Sequence, residues 1–209
     1  MERMLVTQAL NELKLLNGRI ERAIEAGSYV AAAKICEKKV SSGITKDAFC
    51  GSAKASLQSV RDLMERRKKI KSAVVESNAN TIITVNNVEM TRADAIERKK
   101  SIEYEKMLLA TLRTQLSRAN SVVTTKNASM EAEIVKLAEA ALGKDTKQKV
   151  DPDGYASIAN PYRTSNEYGL VDPLNIAELI SKLEEDIEGF LSEVDSALQI
   201  SNCTTYIEF

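Results

Sequence analysis

The side chains of this sequence that could do chemistry are three cysteines, Cys36, Cys50 and Cys203, with carboxylates, lysines and tyrosines; the chain contains no histidine. Without that imidazole, a serine triad or a Cys-His dyad lacks its base, and nucleophilic catalysis of that kind is excluded. The cysteines form no C-x-x-C pair, so a zinc or other transition-metal site would need unusual ligands. Cys36 has Lys34, Lys38 and Lys39 close in sequence, the cationic setting that stabilises a reactive thiolate. Small buried thiols are nonetheless the expected state of Cys36 and Cys50.

The remaining motifs resolve into ordinary structure. DPDG at 151–154 opens like a calcium loop, but the twelfth position from Asp151 is Tyr162 where a bidentate Glu is required, so a turn is expected. Gly143-Lys144 lacks the earlier glycine and the following Ser or Thr of a phosphate loop, and reads as a helix C-terminus. Glu184, Glu185 and Glu188 fall on the outer side of a heptad, where carboxylates are solvated rather than paired for acid-base work. The basic run ERRKKIK at 65–71 has the charge to meet phosphates. With no aromatic residues interleaved, it reads as a helix face paired with Asp62, Glu65 and Glu76. No catalytic, metal or cofactor site is expected, and no cofactor.

Positioning elements follow from composition and periodicity. Hydrophobic residues make up 44% of 209 positions, enough for a core, yet 4% are aromatic and none is Trp. A core of Leu, Ile, Val and Ala is the composition of helical bundles and coiled coils. Twenty-nine basic residues balance 30 acidic ones, which removes the broad electrostatic case for nucleic acid or an anionic membrane as partner. No run of about 18 apolar residues is present to span a bilayer, and the charged N-terminus lacks the apolar core of a signal peptide. A reducing, cytoplasmic interior is the expected location. Asn127-Ala-Ser129 and Asn202-Cys-Thr204 are then accidental glycosylation sequons.

Apolar spacing predicts helices at 2–26, 52–77, 92–142 and 173–200, packed antiparallel. The first carries Leu10, Leu13, Leu15 or Leu16, Ile20 and Ile24; the second Leu57, Val60, Leu63, Met64, Ile70 and Val74. Residues 27–51 read as an irregular connection, with extended pieces at 29–35 or 38–40. Residues 80–91 change to period two around Asn86-Asn87 and predict a β-hairpin, with Thr91 and Asp94 capping the next helix. That helix would hold on the order of 50 residues and measure about 75 Å. It either projects as an elongated hairpin or breaks at NSVVTTKNAS, 120–129. All three prolines fall within 149–173, and residues 143–172 read as a long loop, with Tyr155, Tyr162 and Tyr168 as partner contacts. The tail NCTTYIEF alternates and is expected to add an edge strand to the hairpin. Ile83, Val85, Val88 and Met90 of the hairpin are the other candidate partner contacts. The fold class is therefore mainly α: 1–209 as a single elongated helical domain, a coiled-coil-like antiparallel hairpin or bundle with a small β-hairpin at one end.

Three pieces of the chain, ALNELKLLNGRIERAI, NANTIITVNNVEMTRADAIERKKSI and DSALQISNCTTYIEF, resemble a family of bacterial and phage proteins labelled septicolysin-like. Asn78, Thr81, Thr91, Asp94, Ala95, Arg98 and Lys99 match its pattern of Asn and Thr before a capped helix. Asp195, Gln199, Asn202 and Thr204 match its terminal helix with an Asn and Thr tail, while 143–171 departs from the pattern. The resemblance implies a helical hairpin or bundle with a small β element at one end. Residues and resemblance together predict a non-enzymatic structural or assembly protein, a homo-oligomer or part of a larger assembly, and a virion component if phage-encoded. The alternatives are a membrane-active, cytolysin-like protein, as the family label implies, and an enzyme using Asp, Glu, Lys or Tyr alone.

Overall fold

The computed structural model describes residues 2–142 and 152–209. It is mainly α, with five helices and two antiparallel strand pairs among the described residues. The chain divides into two compact units, Met1–Lys100 with Gly189–Phe209, and Ser101–Glu188. Sequence alone treats 1–209 as one helical domain. Gly143 and Lys144, and with them the phosphate-loop comparison, lie outside the described residues, as does Asp151; the expected turn at 151–154 is corrected, since Pro152, Asp153 and Gly154 are helical.

The first unit is built on α1 (Val6–Ala26) and α2 (Lys46–Asn80). Buried residues of α1 are Val6, Ala9, Leu13, Leu16 and Ile20, alternating steps of three and four, the period of a helix-helix seam. Val6, Ala9, Leu13 and Leu16 pack with Ile70 and Val74 of α2, with Leu63 at the margin. Leu10, Leu15, Ile24, Leu57 and Met64 are one step off this seam and are exposed. The predicted start at residue 2 is corrected: Arg3–Leu5 form β1, and α1 begins at Val6.

The C-terminal strand β4 (Tyr206–Glu208) pairs antiparallel with β1, not with the hairpin, in the register Arg3↔Glu208, Met4↔Ile207, Leu5↔Tyr206. The reason is burial: this pairing drops Ile207 into the α1–α2 core while Arg3 lies 4.3 Å over the Tyr206 ring outside it. α2 starts at Lys46, six residues before the predicted start at 52, because the Thr45 hydroxyl accepts from the Ala48 N–H and Asp47 favours the first turn. Between α1 and α2 a single Lys39↔Thr45 bridge replaces the expected extended pieces.

The hairpin is present as β2 (Ile82–Val85) and β3 (Val88–Thr91). Asn86 and Asn87 hold φ of 51° and 59°, as a two-residue type I′ turn requires. Thr91 Oγ1 accepts from the Asp94 N–H at 3.0 Å and donates to Asp94 Oδ2 at 2.7 Å, so the predicted cap starts the next helix.

That helix, α3 (Arg92–Leu142), runs 51 residues with no break at 120–129. Weak helix formers there cost a few tenths of a kcal/mol each, too little to interrupt a helix with anchors before and after. In the second unit its buried Met130 and Ile134 meet α4 (Pro152–Asn166) at Ala159, Tyr155 and Tyr162. The predicted loop at 143–172 is thus corrected, since 152–166 is helical. Tyr155, Ala159 and Tyr162 share one face, and Arg163 binds both oxygens of Glu131 at 2.7 Å. These contacts outweigh the interior Pro161. Beyond α4 the Asn127 carboxamide donates to the Tyr168 carbonyl at 2.9 Å and accepts its N–H at 2.8 Å, which gives this sequon residue a structural role.

The last helix, α5 (Ile176–Thr204), starts three residues after Pro173, with the Asp172 carboxylate accepting from the Ile176 N–H at 2.8 Å. Ile187, Phe190 and Val194 continue the expected heptad as buried residues.

Candidate functional site

β2 is built so that one edge is bonded and the other open. In an antiparallel pair, directly opposed residues alternate between bonded and non-bonded. Val85↔Val88 closes the turn and Ile83↔Met90 follows two residues on, so the N–H and C=O of Ile82 and Thr84 point away from β3. The Arg92 N–H bond to the Thr81 carbonyl, 2.9 Å, continues the same alternation. On the open side lies a groove of about 580 Å³ with Thr81 and the β2 residues Ile82 to Thr84 as one wall. The C-terminal half of α5 forms the other, through Ser192, Glu193, Ser196, Ala197, Ile200 and Thr204. Hydroxyls dominate the lining, Glu193 is its one charged residue, and Ile82 and Ile200 are 64% and 65% exposed.

Two contacts anchor these walls. At the turn end, the Asn86 N–H, the next outward amide after Thr84, donates to Glu193 Oε2 at 2.7 Å. Gly189 leaves room for the Asn86 side chain: a Cβ there would lie 2.6 Å from its carboxamide, which would have to move. Glycine inside a helix costs about 1 kcal/mol relative to alanine, and the close turn explains its use.

At the other end stands Arg92, fully buried at the start of α3. Its Nη1 donates to Asn202 Oδ1 at 3.0 Å, and Nη2 donates to Thr81 Oγ1 at 3.0 Å and to Ser77 Oγ. One guanidinium therefore ties the ends of α2 and α5 to the first residue before β2. Among the described residues no carboxylate pairs with it, and its Nε has no partner. Burial pushes its pKa below the ordinary guanidinium value. A cation in the first turn also opposes the helix dipole by roughly 0.3–1 kcal/mol. Hydrogen bonds from a charged donor, each about 1.5–3 kcal/mol, exceed that cost and hold the node together.

The sequence-predicted contacts distribute unevenly. Ile83 and Val85 are buried, so their side chains belong to the core of the first unit rather than to a partner surface. Val88 is exposed and Met90 half-buried. Tyr155 and Tyr162 pack on Met130 and Ile134, and Tyr168 is exposed with Lys126 Nζ 6.0 Å from its ring. All three cysteines are exposed, against the expectation of burial for Cys36 and Cys50. In the basic run, Arg66 is held by Glu2 and Glu12, Arg67 donates to Asn17, and Lys69 pairs with Glu65.

Sequence reading missed Arg92, Gly189 and Glu193. Two signals were present: a cation directly after a helix cap, where acids are favoured, and a glycine inside a strong heptad. Among the described residues no group of three or more His, Cys, Asp or Glu is gathered as metal ligands, and no helix is long and apolar enough to cross a membrane. Comparison of the chain with protein-family models, with curated proteins and with solved structures gives no match.

Proposed function

We propose that this chain is a non-enzymatic assembly protein, a helical subunit that works by associating with itself or by docking in a larger complex. One observation carries the reading. Tyr104, Met107 and Leu108, at i, i+3 and i+4 on α3, are 72%, 60% and 52% exposed. Aromatic and Met side chains grouped on one helical turn are the chemistry of interface centres, not of solvated faces. Three exposed, unpaired cysteines fit a reducing location, the cytoplasm or the interior of a host cell.

The finer version of the reading, a virion component, rests on the resemblance to septicolysin-like phage proteins. Light-scattering mass of the purified chain, together with recovery of complexes from the native source, tests the proposal. A mass above the 23.0 kDa of one chain, or a stoichiometric protein partner, supports it. A monomer without a partner overturns it.

A further inference from the structure

We propose that the groove between β2 and α5 takes an extended peptide segment of a partner protein, added as a strand to the open edge of β2. The inference rests on the reading of the chain as a docking protein and names what docks. The outward N–H and C=O groups of Ile82 and Thr84 form two donor-acceptor sets spaced as the backbone of an added strand would need them.

Natural sheet edges are commonly blunted by Lys, Pro, a bulge, shortness or a covering helix; Ile-Ile-Thr-Val has no Lys, Pro or bulge, and its four residues beside α5 leave two outward sets. The open run has a defined end, because Glu193 already accepts the next outward amide at Asn86. With α5 as the far wall of a groove of about 580 Å³, an added strand would lie between two walls.

The lining defines the chemistry of the occupant. Exposed Ile82 and Ile200 offer apolar contact to aliphatic side chains at alternate positions of the peptide, and Ser196 lines the wall beside Ser192 and Thr204, whose hydroxyls donate to the Gly189 and Ile200 carbonyls of their own helix. Glu193 as the charged group disfavours acidic residues at the turn end and accepts neutral or basic ones. Arg92 acts here as a positioning residue, since its bonds to Thr81 and Asn202 fix where the two walls begin.

The test is selection from a random pool of end-blocked hexapeptides on the immobilised full-length chain, followed by backbone amide mapping with the selected peptide. Expected are sequences with aliphatic residues at alternate positions, shifts and exchange protection at the Ile82 and Thr84 amides, and at least tenfold weaker binding by Ser196→Trp. Thr84→Pro, which removes one outward donor and no hairpin bond, should weaken binding similarly; Ser196→Trp stands alone if that variant misfolds. An empty selection, unmoved Ile82 and Thr84 amides, or full affinity in Ser196→Trp overturns the proposal. Amide shifts that follow protein concentration without peptide would assign the edge to a second copy, and also overturn it. The Tyr104 face and its mass measurement are separate from this readout, so failure of the peptide site is distinguished from failure of the assembly reading.

Discussion

Arg92 concentrates the energetics of the first unit at one side chain. Its hydrogen bonds go to hydroxyls and an amide, so Arg92→Ala should destabilise the protein by about 3 kcal/mol, read from urea unfolding. Arg92→Lys should recover less than half, because a single ammonium cannot reach three acceptors that a planar fork reaches together. The paired arginines at the surface contribute to the response to acid. Hydrogen bonding to Arg163 holds Glu131 below the ordinary glutamate value, and Arg66 does the same for Glu2. Both carboxylates are lowered in the folded state. Their contribution is complete above the ordinary glutamate value and is lost as pH falls through the lowered one. Near-UV circular dichroism of Tyr155 and Tyr162 should therefore weaken in that acid window, and Glu131→Gln should reduce the pH dependence of that signal.

At the level of elements, α4 shows where local rules mislead. Clustered prolines at 152, 161 and 173 read as a loop, yet Pro152 opens a helix and Pro161 is carried inside it. Pro161→Ala restores an interior hydrogen bond and should stabilise α4 by about 1–3 kcal/mol, seen as slower amide exchange in 156–166. Legibility tracked how local each cause was. Asn86-Asn87, Thr91 and Asp94 act over a few residues, so the hairpin and its cap could be read directly. The start of α2 hinged on Thr45, a capping signal hidden among Gly and Ser pairs. The partner of the C-terminal strand depended on burying Ile207 between α1 and α2, which no window of sequence contains. The groove is less legible still, because Ile82, Glu193 and Arg92 meet through three elements, and periodicity marks none of them.

For the molecule as a whole, the exposed apolar turn of α3 gives the prediction that separates assembly from isolation. Replacing Tyr104 and Leu108 with Glu leaves the buried Ile102, Leu109 and Leu112 intact, so folding should persist. If that turn is an interface, the light-scattering mass should fall from an oligomer to one chain, or a copurifying partner should be lost. An unchanged assembly would place the contact elsewhere. The pairing of β1 with β4 also bears on biosynthesis. Residues 189–209 belong to the same compact unit as the first hundred. On the ribosome, the nascent α1–α2 pair must wait, with its Ile207 socket vacant, through translation of the entire intervening segment. The helices of 101–188 can settle earlier, so a pause or truncation late in synthesis would leave the first-made half of the protein as the unfinished one.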